Sequence, residues 1–129
     1  MDTMKLPENP DYLAPDGSEI RLLVATPRGS MAHCRLPPNT VTKPVWHRSI
    51  EEIWYCLSGR GELWRKSGST ALVTPLEPGT SVLIGFQERF QFRALNEPLD
   101  LILASIPGWP GSDEAVQIEE GKWPPTVAE

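Results

Sequence analysis

Clustered basic residues, long apolar runs, cysteine-rich spacings and phosphate-binding loops are all missing from this chain of 129 residues. Twelve Lys and Arg stand against 17 Asp and Glu, a formal net charge of −5, and nowhere do the basic residues gather. A nucleic-acid backbone or an anionic membrane surface would find no electrostatic footprint here, so neither is expected as a partner. No uninterrupted apolar stretch approaches the roughly 18 residues of a spanning helix. The opening MDTMKLPENP carries prolines where a secretory leader would carry its apolar segment, and the expectation is a cytoplasmic protein. The two cysteines, Cys34 and Cys56, are then expected reduced and buried rather than bridged. There is no Gly-x-Ser-x-Gly elbow, no Cys-x-x-Cys pair and no glycine-rich phosphate cradle, so the chemistries those motifs serve are not indicated.

Proline is present in excess: fourteen residues, with ten glycines, make a chain that turns often and leaves little room for long helices. Residues 1–18 read as an arm without periodicity. Beyond them short apolar or alternating runs follow one another, each closed by a turn former: IRLLVA, MAHCRL, IWYCL, GELWRK, TALVT, SVLIGF, FQFRAL and LDLILASI. Strand candidates at this spacing, with no helical periodicity between them, predict an all-β sandwich or barrel over residues 19–106. Ser58-Gly59-Arg60-Gly61 and Lys66-Ser67-Gly68-Ser69 read as tight turns. Residues 107–129, with four prolines and Trp109 and Trp123 as anchors, read as a tail packed on the barrel, because indole surface is costly to leave in water.

Strand alternation assigns faces. Glu52, Trp54 and Cys56 share one side of their strand and Ile53, Tyr55 and Leu57 the other, so both sides ask for cover. One is expected to be the barrel interior and the other a contact surface, with a homodimer as an economical solution. Phe90, Phe92 and Ala94 likewise oppose Gln91, Arg93 and Leu95. His33 and Arg35 alternate with the more apolar Ala32, Cys34 and Leu36, which points His33 outward to a surface or dimer face. A register one residue off would instead bring Arg35 inside to clamp a carboxylate.

The segment from Pro37 to Gly61, PPNTVTKPVWHRSIEEIWYCLSGRG, resembles the first signature of the cupin family, small barrels of the double-sheet jelly-roll type. His47, Ser49 and Glu52 occupy the polar positions of the usual His-x-His and Glu, and Glu52, six residues and Gly59 keep the spacing. Glu77 to Asn96 resembles the second signature, with Pro78-Gly79 in place and Phe90 where the family has its third His. The resemblance covers about two-thirds of the chain, and it implies a cupin barrel of the small single-domain type. It also implies a divalent metal held by two His, one Glu and a further His, of which this chain supplies His47 and Glu52 alone. A serine hydroxyl is a poor ligand and a phenyl ring is none, so no metal cofactor is expected.

What remains is a pocket in which His47, Ser49 and Glu52 face Trp54, Cys56, Phe90 and Phe92, a composition suited to a small organic ligand. Three functions stay open. The first is a metal-free cupin that binds a small molecule. The second is an isomerase, epimerase or lyase in which Glu52 and His47 move protons. The third is an oxygenase-type enzyme whose metal uses atypical ligands.

Overall fold

The computed structural model describes residues 1–111 and 113–127. Every ordered element among them is a strand: β1 (Tyr12–Leu13), β2 (Glu19–Thr26), β3 (Gly29–Leu36), β4 (Val45–His47), β5 (Glu51–Ser58), β6 (Gly61–Ser67), β7 (Thr70–Leu76), β8 (Ser81–Ile84), β9 (Arg89–Ala94), β10 (Leu99–Ile106) and β11 (Ala115–Gln117). They form two sheets whose paired strands all run antiparallel, one in the order β1-β2-β3-β10-β5-β8 and the other β11-β4-β9-β6-β7. The eight runs read from periodicity are all strands, and the all-β architecture holds. Sequence reading passed over β1, β4 and β11, which are two or three residues long and lie among prolines and polar residues, too short to show a period of two.

Alternation explains how the sheets close on each other. From the larger sheet Ile20, Cys34, Leu36, Trp54, Cys56, Leu101 and Leu103 turn inward, and from the smaller one Val45, Leu63, Phe90, Phe92 and Ala94 meet them in a single apolar core. The tight β5–β6 turn needs its glycine. Gly59 has φ +86°, and a Cβ there would run into the carbonyl oxygen of Pro98, so any side chain is excluded both by backbone preference and by contact.

Residues 121–127 run beside the smaller sheet; Thr126 and Val127 bond the backbone of Val41, and a buried amide fastens the residues before them. Gln91 is fully buried. Its Nε2 donates to the carbonyls of Thr42 and Trp123 at 2.8 and 2.7 Å, and its Oε1 accepts from the backbone NH groups of Lys122 and Trp123 at 2.8 and 3.0 Å. Arg93 stacks its guanidinium 4.4 Å from the centre of the Trp123 ring. Gln91→Leu leaves several backbone groups without partners. It is expected to cost roughly 2–4 kcal/mol and to speed protease cleavage near Trp123; unchanged urea midpoint and cleavage rate would show that the amide does not hold the segment.

Candidate functional site

One end of the space between the sheets is not filled. It is a small cavity of about 50 Å³ that opens to solvent. Its floor and walls come from Cys34 on β3, His47 on β4, Glu52 and Trp54 on β5, Phe90 and Phe92 on β9, and Leu103 and Ser105 on β10. The mouth is built by segments outside the main strands: Tyr12 to Ser18 on one side, Trp109 and Ala115 on the other.

The apolar part of the wall is an aromatic stack. Trp54 meets Phe90 and Phe92 edge to face, with ring centres 5.4 and 5.0 Å apart, and His47 lies edge-on to Phe90 and Trp109 at 5.1 and 5.5 Å. Such crossings exploit the ring quadrupoles and fix the side chains relative to one another. The polar part is small. Glu52 is 4% exposed; its Oε1 accepts from Trp54 Nε1 at 3.0 Å and its Oε2 from the Ser105 hydroxyl at 3.0 Å. His47 is equally buried, and its Nδ1, 3.9 Å from Glu52 Oε1, has no hydrogen-bond partner. Nearer the mouth Asp16 is held by its own turn, its Oδ1 accepting from the backbone NH and the hydroxyl of Ser18 at 2.9 and 2.7 Å.

Burial sets the charge states. Loss of hydration pushes the Glu52 carboxyl up to about 7, against the pull of its two hydrogen bonds. The same loss pushes His47 down to about 4, with Glu114 opposing only in part, so the imidazole is neutral at neutral pH. Desolvation raises Asp16 as well, and it holds the Cys34 thiol well above its usual range, which makes that thiol unreactive.

Two pocket assignments from the sequence need correction. Ser49 is not in the cavity. The strand β4 ends at His47, alternation stops there, and Ile50 rather than Ser49 turns into the core. Ser49 donates its NH and its hydroxyl to the carboxylate of Glu114, a residue 65 positions away. Cys56 is buried in the core, but it does not line the cavity; it sits farther along β5, level with Leu101, with its thiol toward the Ser58 carbonyl. The thiol on the cavity wall is that of Cys34, and the hydroxyl-bearing residues are Tyr12, Ser18, Ser30 and Ser105.

His33 does occupy the face opposite Cys34, yet it is 4% exposed rather than a surface residue, with Nε2 bound to Asp100 Oδ1 at 2.9 Å. Arg35 shares that outer face, 3.6 Å from the same carboxylate, so no guanidinium enters the barrel there. Sequence reasoning also missed Tyr12, Asp16, Trp109 and Ser105. Pro15-Asp16-Gly17-Ser18 has the composition of an Asx turn, a signal that could have drawn attention to Asp16; Ser105 lies in an apolar strand with nothing to mark it.

The fold is the double-stranded β-helix of the cupins. No known family's sequence profile matches the chain, and no curated protein matches it in sequence. Solved structures do. Oxalate decarboxylase of Bacillus subtilis superposes with a TM-score of 0.75 at 14% identity over 92% of this chain, which spans only 34% of that one. KdgF from Halomonas sp. gives 0.66 at 18% identity, covering 78% of this chain and 88% of its own. A Klebsiella pneumoniae protein with a double-stranded β-helix domain gives 0.67 at 16% identity over 84% and 90%. At these identities the likeness is one of fold.

The Bacillus oxalate decarboxylase has Mn(II) centres, and a divalent ion in this barrel would need a donor set to match. Of the four positions named by the resemblance, Phe90 contributes a ring packed against His47, Ser49 is committed to Glu114, and both oxygens of Glu52 already accept hydrogen bonds. Among the described residues no three His, Cys, Asp or Glu side chains come together to hold an ion. These residues do not fit a transition metal. Treatment with a chelator is accordingly expected to leave the melting temperature within about 2 °C, whereas loss of a structural ion worth a few kcal/mol would move it by several degrees.

Proposed function

We propose that this protein is a cytoplasmic, metal-free cupin that binds a small organic molecule in its aromatic cavity. One observation carries the proposal. A deep pocket walled by Trp54, Phe90, Phe92 and Trp109 holds two buried polar groups, the Glu52 carboxyl and the unpartnered Nδ1 of His47. Buried polar atoms without partners are rare, and at the wall of a cavity they await an occupant. Cys34 and Cys56 are both free, as a reducing compartment maintains them. Titration with a panel of small aromatics, amines, carboxylates and sugars, followed by melting temperature and indole fluorescence, tests the proposal. At least one class is expected to stabilise the protein and change the emission of Trp54 or Trp109. If the whole panel leaves both signals flat, the pocket is not a binding site.

A second function, proton transfer on the bound molecule, is supported by the same pair. Glu52, with its pKa near 7, stands 3.9 Å from a neutral imidazole, so acid and base forms coexist at neutral pH. In D2O a bound compound with a C–H acidified by a carbonyl would exchange that hydrogen, and Glu52→Gln would abolish exchange. Equal exchange by the variant rules the function out.

We further propose that two copies meet through the outer face of the six-stranded sheet. Strand register sets Leu83, Ile53, Ala104 and Met31 in one row across β8, β5, β10 and β3, and Leu83, Ile53 and Met31 are 51, 48 and 41% exposed. Glu51 lies at one end of β5 on this face and Arg35 lies across β10 from its other end. A two-fold axis between them would therefore bring unlike charges together. Light scattering is expected to give twice the 14.4 kDa chain mass and Ile53→Glu to halve it; a wild-type protein of single-chain mass at tens of micromolar excludes the pairing.

A further inference from the structure

Which molecules the cavity can admit depends on its charges, and these are one-sided. Among the described residues its lining contains Glu52 and Asp16 and includes no Lys or Arg. An anionic ligand would have to bring a second negative charge among groups that already resist ionisation, with no guanidinium or ammonium to receive it. Carboxylates and phosphate esters are therefore disfavoured, since nothing cationic among the lining side chains receives them. Beside the hydroxyl-bearing Tyr12 and Ser30, the buried pair of Glu52 and His47 offers acceptance. Glu52 Oε1 faces His47 Nδ1 across 3.9 Å, a gap too wide for a hydrogen bond between them. An imidazole protonated on Nε2 would make both atoms acceptors, and a single donor group with two or more hydrogens would then serve them together.

The surroundings narrow the choice further. Trp54, Phe90 and Trp109 line the same space, and aromatic rings attract cations through their quadrupoles. We infer that the cavity takes a small organic ammonium, a primary or secondary amine on a compact apolar body. Its N–H groups are shared between Glu52 and His47, and its hydrocarbon part lies against the aromatic wall. The inference rests on the small-molecule function proposed above and specifies its ligand class. Ammonium binding also removes the cost of an isolated carboxylate, since the two charges are taken out of water as a pair with charge-assisted hydrogen bonds.

Benzylamine, benzyl alcohol and benzoate differ in charge while keeping nearly the same shape, and calorimetric titration with the three at pH 7.5 tests the inference. Benzylamine is expected to bind about tenfold or more tightly than benzyl alcohol, a charge-assisted bond being roughly twice as strong as a neutral one, and benzoate is expected not to bind. Glu52→Gln, which keeps size and polarity but cannot ionise, is expected to shrink the benzylamine preference to under about threefold. Binding of benzoate, or benzyl alcohol binding as tightly as benzylamine, overturns the ammonium inference and leaves small-molecule binding standing. Silence from all three probes while other compounds in the panel stabilise the protein also overturns it. Silence from the entire panel overturns the function on which it rests.

Discussion

Trp54→Ala is expected to remove roughly 3–5 kcal/mol of folding stability, the usual cost of deleting a fully buried large aromatic side chain. In a chain of this length that lowers the melting temperature by about ten degrees or more. The size of the effect follows from what the indole does. It is 2% exposed, it is packed between Phe90 and Phe92, and its Nε1 donates to Glu52. Trp54→Phe separates these roles, because it keeps a ring in the stack and removes the donor. It should cost about 1–3 kcal/mol and leave the Glu52 carboxyl with one hydrogen bond fewer, so that its pKa rises further. Loss of less than about 1 kcal/mol on Trp54→Ala would mean that the cavity wall collapses easily, and with it the argument that the pocket is preformed.

The second large effect is a pH dependence. Glu52 ionises near 7 in the folded protein and near 4.5 when unfolded. Its contribution to stability is therefore complete below about 4.5 and is lost as pH climbs through 7. The loss amounts to about 3 kcal/mol by linkage. In the variant Glu52→Gln the side-chain amide does not titrate and can still accept from Trp54 and bond Ser105. Urea unfolding should find the variant more stable than the wild type at pH 8.5 and level with it at pH 4.5. His47 acts in the opposite direction, present in full above 6.5 and lost as pH falls through about 4, but it is common to both proteins and cancels in the difference. The other ionisable groups facing Glu52 from their own segments are Tyr12, Asp16, Cys34 and Glu114, likewise unchanged in the variant. A stability gap that stays constant from pH 5 to 8.5 would show that Glu52 ionises like a solvated carboxylate.

The barrel was legible because strands such as β5, β8 and β10 bury alternate residues, and a period of two survives in a single sequence. Alternation grouped Trp54 with Glu52 and Phe90 with Phe92, and the resemblance to the cupins chose which of those faces turn inward. Glu52 and His47 were found by resemblance, and the structure does set them side by side. Ser49 was misplaced for a definite reason: alternation was extended past His47, where the strand stops and the backbone turns toward Glu114. A partner 65 residues distant leaves no local trace. Tyr12, Asp16 and Trp109 were hidden for the same cause, since the cavity mouth is made by the two ends of the chain coming to one place, and only long-range packing decides which loop residues arrive there.

The chain has two histidines, and their settings differ in a way a spectroscopist can use. The imidazole of residue 47 sits beside the rings of Phe90 and Trp109, whose circulating electrons displace the resonances of nearby protons, while that of residue 33 is tied to Asp100 on the outer side of the sheet. A proton spectrum of the imidazole region should thus contain one signal that moves when the container fills and one that stays still, an internal gauge of occupancy that requires no label.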